Sequence, residues 1–228
     1  MSPRRRITKH MMKEDKLVTT TFRLTQWAQK NYQKILMVAG AVVAVAIVVF
    51  VFFSLRAQRN EKAAQLFGKA TLDFRMGKLN QAISTLETVV NKYGGTKAAP
   101  QAIFLLGNVY FQNRRFDQAI STFERFTRKG TGDRLLMASS SFGIAQCYLE
   151  KKEFNQAGEF FDRAFESDTE GILAANALLS AGFSYGRAAD FEKAKSSYHR
   201  VLELFPQSPE ALKAKKKLAE IDYGYVEE

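Results

Sequence analysis

The side chains that most often carry catalysis or bind metals are scarce in this sequence of 228 residues: two histidines, His10 and His199, and one cysteine, Cys147. A zinc site of the HExxH kind needs a second histidine four residues on, so that both ligands share one helix face. Neither histidine has one. Cys147 has no second cysteine to form an internal disulfide with, and thus does not identify the redox compartment. It stands beside Tyr148 in an apolar stretch, where a small thiol is expected to be buried and inert. The loops Tyr93-Gly94-Gly95-Thr96 and Lys129-Gly130-Thr131-Gly132-Asp133 contain glycine, the second with lysine too. Both lack the run of glycines ahead of Lys-Ser/Thr that cradles phosphate, so they are expected to be turns. The paired carboxylates Glu227 and Glu228 fall in a terminal segment expected to fray. No catalytic, cofactor-binding or metal-binding residues are assigned, and an enzyme is not expected.

The formal charge of +11 is unevenly placed. Residues 1–34 hold nine Lys and Arg against Glu14 and Asp15. Immediately after them, 35–55 read ILMVAGAVVAVAIVVFVFFSL, 21 residues without a charge. A bilayer core needs about 20 apolar residues in helical form, so this run is long enough to span it. Lys34 and Arg56 bracket it, and Trp27 and Tyr32 precede it where aromatic anchors meet the headgroups. The excess of basic residues is therefore read as membrane topology rather than as a nucleic-acid surface. A cleaved leader has a shorter apolar region followed by a small-x-small site. The sequence after this run is Leu55-Arg56-Ala57-Gln58, so a retained anchor is expected. No cysteine lies near it for lipid attachment, and Arg4-Arg5-Arg6 is too far from the run to act as a twin-arginine signal.

Nine basic residues precede the span and five (Arg56, Arg59, Lys62, Lys69, Arg75) fall in the twenty positions after it. The positive-inside rule then keeps 1–34 in the cytoplasm and puts 56–228 across the membrane, in the periplasm of a double-membraned bacterium. Leu17, Val18, Phe22, Leu24, Trp27 and Ala28 allow a short interfacial helix, with an irregular juxtamembrane tail as the alternative. Gly40 and Ala44 form one small-xxx-small pair within the span.

The remainder is periodic. Ala82, Ala119, Ala157 and Ala194 recur at intervals of 37, 38 and 37. Four residues after them stand Leu86, Phe123, Phe161 and Tyr198; three before stand Leu79, Phe116, Phe154 and Phe191. Twelve before come Ala70, Gly107, Ala145 and Gly182, and nine before the last three come Tyr110, Tyr148 and Tyr185. Asp73 takes the tyrosine's place in the first copy. Apolar spacings of three and four predict helices, and no stretch alternates as a strand would. Turn-like links are expected at 76–78, 113–115, 151–153 and 188–190. Ser208 followed by Pro209 reads as an N-cap with proline at the first helical position, starting a capping helix to about Ile221. Its Lys213, Lys215, Lys216 and Lys217 are expected on a solvated outer face, with an acidic partner as the alternative.

This pattern resembles the tetratricopeptide repeat, most closely at Leu106-Gly107, Tyr110, Ala119 and Phe123. The family's first-helix Trp is absent, and the period exceeds the usual 34, so helices or inter-repeat turns should be longer by about one turn. Together with the apolar span, the resemblance implies an all-α chain: a transmembrane helix, then an α-solenoid of about four helix pairs with a C-terminal capping helix. The divisions are 1–34 (basic tail), 35–55 (span), 56–63 (helical linker), 64–207 (four repeats) and 208–228 (cap and tail). In that family the first helices line a concave groove. The positions that would line it here are Phe67 and Phe74, then Phe104, Asn108 and Phe111. Phe142, Gln146 and Leu149 follow, then Asn176, Leu179, Phe183 and Arg187. Packing under neighbouring helices is the competing role for several of them.

A short basic tail, one span and a TPR domain together resemble the ancillary subunit of the SecYEG translocon (the YfgM-like family). That resemblance implies a scaffold that meets the translocon and a membrane-bound periplasmic chaperone. The long-period repeats are also similar to those of the outer-membrane assembly lipoprotein BamD and the Tol–Pal cell-division coordinator. The missing lipid-attachment cysteine counts against the first and the retained span against the second. An oppositely oriented docking or import receptor is the other alternative, and the charge distribution argues against it.

Overall fold

The computed structural model describes residues 9–129 and 133–223, with side chains from residue 18 onward except that of residue 129. Among the described residues there are ten helices and no strand. They form two compact units, Met1–Ala57 and Gln58–Glu228.

The first unit holds helix α1 (Lys9–Lys30) and the leading part of α2 (Tyr32–Arg75). The segment from Leu17 to Ala28, for which an irregular tail was the alternative, is helical, and His10 lies in the same helix rather than in a tail. The break between α1 and α2 falls at Asn31, whose side-chain amide donates to the Trp27 carbonyl at 2.9 Å. From Ile35 to Leu55 the chain is one uninterrupted helix. Its apolar side chains face outward and pack into no core. By length and composition it is long and apolar enough to cross a membrane.

The second unit is a stack of helix pairs. Ala63 and Ala70 in the C-terminal part of α2 share a core with Ala82 and Leu86 of α3 (Leu79–Lys92). Helix α4 (Ala99–Gln112) pairs with α5 (Phe116–Lys129), α6 (Arg134–Glu150) with α7 (Phe154–Ser167), and α8 (Ala174–Arg187) with α9 (Phe191–Leu204). Helix α10 (Pro209–Asp222) covers the end; the Ser208 hydroxyl accepts from the Ala211 N–H at 3.2 Å.

The sequence rhythm has a direct geometric cause. Ala82, Ala119, Ala157 and Ala194 are fully buried where the two helices of a pair meet. The small residue twelve earlier lies under the large one four later. At Gly107 an added Cβ would come within 2.5 Å of the Phe123 ring, and at Gly182 within 2.5 Å of the Tyr198 ring. Phe123 also lies 2.8 Å from where a Cβ on Gly143, in the next pair, would sit. One ring thus welds two consecutive repeats, and only glycine leaves room for it on both sides.

The four links within pairs occupy 76–78, 113–115, 151–153 and 188–190, and all four use one device. The middle residue is left-handed: Gly77 (φ 72°), Arg114 (57°), Lys152 (61°) and Ala189 (60°). The residue after it donates its N–H to the carbonyl five positions back, as from Asp190 to Tyr185 at 2.9 Å. The left-handed residue donates to the carbonyl three back, as from Ala189 to Gly186 at 3.1 Å. This is the Schellman arrangement, which satisfies the last carbonyls of the first helix. The additional residues of the long period lie largely between pairs. Six residues separate α3 from α4, and six separate α7 from α8, while α6 is itself lengthened to 17 residues.

The core is continuous along the stack, because Tyr148 and Phe160 pack against both of its halves. First helices approach one another, α4 with α6 and α8 with α10, more closely than the second helices do. They therefore form the inner layer of the stack.

Candidate protein-interaction surface

The inner layer carries the twelve positions singled out above, and none of them belongs to the buried core. Phe67, Phe74, Phe104 and Phe111 are half-buried against the first half of the core; Phe142, Leu149 and Leu179 are half-buried against the second. Three of these rings lean on the second helix of their own pair. Phe104 lies 5.9 Å from Phe123 (ring centroids), Phe111 lies 5.8 Å from Phe116, and Phe142 meets Phe161 edge-on at 4.8 Å. Edge-on and tilted rings are favourable because the positive rim of one faces the negative face of the other. Phe183 is the most open ring of the set, 43% exposed.

The polar members are placed differently. Asn108 is half-buried, and Gln146 and Asn176 are exposed. Ser180 donates its hydroxyl to the Asn176 side-chain carbonyl at 3.1 Å. Arg187 is exposed, but its guanidinium lies 5.2 Å from the centroid of Phe154, on the preceding pair. Groove and core are thus combined in one layer: one side of each ring supports the pair beneath it, and the other faces outward.

Successive pairs are registered by links that sequence reasoning missed. Tyr110 donates its hydroxyl to Glu87 at 2.7 Å, and Tyr185 donates to Asp162 at 2.8 Å. In both cases the acid is 23 residues earlier, on the second helix of the preceding pair. That constant offset was the available signal. Burial, reinforced by the adjacent carboxylate, pushes the Tyr110 phenol up to about 12 and raises that of Tyr185 further. Asp162 is itself raised by burial, which outweighs Tyr185 and Arg200. Its second oxygen lies 3.5 Å from the Arg200 guanidinium, an ion-pair distance without hydrogen-bond geometry. At Tyr148 the residue 23 earlier is Arg125, and the ring instead stacks on Phe160 at 5.4 Å.

Cys147 is fully buried, and its thiol is pushed up to about 12, chiefly by burial. It is a packing residue, not a nucleophile. His199 is exposed on α9. Residues 130–132 of the second glycine loop, and Glu227 and Glu228, lie outside the described residues. Among the described residues, no three His, Cys, Asp or Glu side chains gather into a group able to hold a metal ion.

At the C-terminal end the inner layer opens into a cleft of about 400 Å³ lined by Leu149, Leu179, Ser180, Phe183, Tyr198, Lys213, Lys216 and Lys217. Three of the four lysines expected on a solvated outer face therefore border an apolar hollow. The reason is the packing of α10, which buries Ala211, Ala214 and Leu218 and lies against α8 as well as α9.

A stack of paired helices with an exposed inner apolar layer defines an interaction scaffold. The tetratricopeptide repeat-like domain matches residues 25–222, and the chain belongs to that family. A tetratricopeptide repeat protein from Parabacteroides merdae ATCC 43184 is 17% identical with a TM-score of 0.60, covering 72% of this chain and 62% of that one. MamA from Desulfovibrio magneticus RS-1 is 16% identical with a TM-score of 0.55, covering 72% and 86%. At such identities the likeness concerns the fold. The human peptidyl-prolyl cis-trans isomerase FKBP4 is 24% identical over 116 residues, which is 46% of this chain and 25% of FKBP4. The chain thus spans about a quarter of the curated relatives it matches.

Proposed function

We propose that this protein is a membrane-tethered scaffold whose helical stack binds other proteins on the periplasmic side of a bacterial inner membrane. There it assists protein translocation or the chaperones that receive translocated chains. The observation that carries this reading is the joining of two parts in one chain: a repeat stack of the interaction-scaffold class, and an apolar helical segment whose side chains are exposed among the described residues. Water would not tolerate that segment, and lipid would. The basic residues ahead of it support a cytoplasmic N-terminus. The SecYEG translocon and a membrane-bound periplasmic chaperone are the partners that this architecture favours. The first-helix layer would receive an apolar segment of such a partner.

Topology is the first test. Cys147 is buried and will not compete for a thiol reagent, so Lys215→Cys introduces a single accessible thiol. In spheroplasts it should react with a membrane-impermeant maleimide before lysis. Reaction only after lysis would place the stack in the cytoplasm and overturn the periplasmic reading.

A further inference from the structure

The inner layer changes character at its C-terminal end. Following the period from pair to pair, one row of that layer reads Phe67, Phe104, Phe142, Leu179, and the next position in register is Lys216. A second row reads Asn108, Gln146, Phe183, and ends on Glu220. Asn176 leads by the same step to Lys213. The register is physical as well as numerical: the buried Ala174, Ala177 and Ala181 of α8 correspond to the buried Ala211, Ala214 and Leu218 of α10. Helix α10 therefore presents Lys216 where the preceding first helices present apolar side chains, and Lys213 where α8 presents Asn176.

These lysines rim the cleft whose floor is Leu149, Leu179 and Phe183. They are not equivalent. Lys217 is held by Glu220 at 2.6 Å, whereas Lys216 approaches the same carboxylate only at 3.6 Å. Lys213 pairs with no acid among the described residues. The rim keeps a net positive charge after Glu220 is counted. Tyr198 lines the same cleft while only 2% exposed, and its hydroxyl makes no hydrogen bond among the described residues.

We propose that this cleft binds an acidic segment of a partner protein, seating one bulky apolar side chain on Leu179 and Phe183 and placing adjacent carboxylates on Lys213 and Lys216. The volume suits one large side chain with part of its backbone. The charge of the rim selects acidic neighbours for it. The inference rests on the scaffold reading above, and it specifies the chemistry at one end of the binding layer.

The test uses the full-length protein in nanodiscs of zwitterionic lipid. The probes are three fluorescein-labelled 12-residue peptides with amidated C-termini. One carries Phe flanked by three acidic residues, one has those acids changed to Gln and Asn, and one has the Phe changed to Ser. By fluorescence anisotropy, the acidic Phe peptide should bind about tenfold more tightly than the Gln/Asn control, since two rim ion pairs contribute about that much. It should bind about tenfold more tightly than the Ser control too, which loses the burial of the ring. The preference should shrink with added salt. Lys213→Gln with Lys216→Gln should remove the preference for acid, and Phe183→Ser should remove the preference for Phe. Lys215→Gln, outside the cleft, should leave both unchanged.

Equal binding of acidic and amide peptides overturns the proposal. So does self-association of the chain through these lysines, or their loading onto phosphatidylglycerol vesicles in place of peptide. If the peptides fail while partner crosslinks from the inner layer persist, this inference falls and the scaffold reading stands. If the peptides bind and those crosslinks are absent, the scaffold reading falls, and the assignment of a partner segment to the cleft falls with it.

Discussion

The hydroxyls of Tyr110 and Tyr185 are the clearest case of single atoms tying repeat to repeat. Replacing either tyrosine with Phe should lower stability by about 1–3 kcal/mol, as expected for a hydrogen bond to a charged acceptor. The loss should be larger at 185, where Asp162 is less exposed than Glu87 and is left with Arg200 alone. Tyr148→Phe should cost less than either, because Tyr148 has no acid to donate to. Urea unfolding checks the order, and equal losses at all three positions would contradict it. The sign with pH follows from the raised phenols. A group whose pKa is higher folded than unfolded stabilises the fold fully below its ordinary value, and that contribution fades as pH climbs through the folded value. For Tyr110 the window runs from about 10 to about 12. Stability should therefore fall across that alkaline range, and less steeply in Tyr110→Phe. None of these bonds was read from the sequence. The alanine and tyrosine rows show which residues recur, but a tyrosine's partner lies on the preceding repeat, and only the offset of 23 to an acid reveals it.

At the scale of elements the sequence was more legible. Helix pairing, the four links and the capping helix all follow from spacings of three, four and 37, because a small residue at a fixed phase is what two close helices require. What spacing does not disclose is backbone sign. Three of the four links place a residue with a Cβ in the left-handed region, and only Gly77 fits it without strain. Ala189→Gly should therefore raise stability by about 1 kcal/mol, offset in part by the added freedom of the unfolded chain. Differential scanning calorimetry measures it, and a lowered melting temperature would contradict the Schellman account of these links. Lys213, Lys216 and Lys217 were expected on an outer face and border the cleft instead, for a related reason. An isolated helical wheel shows which face is polar, but not which flank borders α8. Carrying the register forward from Leu179 to Lys216 would have found them.

For the molecule as a whole, the boundary between the two units at Ala57 and Gln58 predicts that the apolar first unit and the stack are separable. A fragment of residues 59–228 should be soluble without detergent, strongly helical and cooperative in unfolding, since neighbouring repeats share one continuous core. Precipitation, or a broad noncooperative melt by circular dichroism, would mean that the stack needs the first unit to fold. The inner layer is where sequence and structure each supply half. The family pattern named twelve positions; the structure divides them into apolar side chains that also support the core and positions that are exposed. Phe104 packs on Phe123, so its loss would disturb stability and binding together. Phe183 and Gln146 are more exposed and report on binding alone.

Binding through the first-helix layer is tested most directly by site-specific photocrosslinking in living cells. Benzoylphenylalanine is introduced in place of Phe183 or Gln146 on the inner layer, and in place of Leu204 or Ser196 on the exposed side of α9. Crosslinked partners should form from 183 and 146, be the same from both, and be absent from 204 and 196. Adducts from α9 alone, or equally from all four positions, would contradict an inner-layer binding surface.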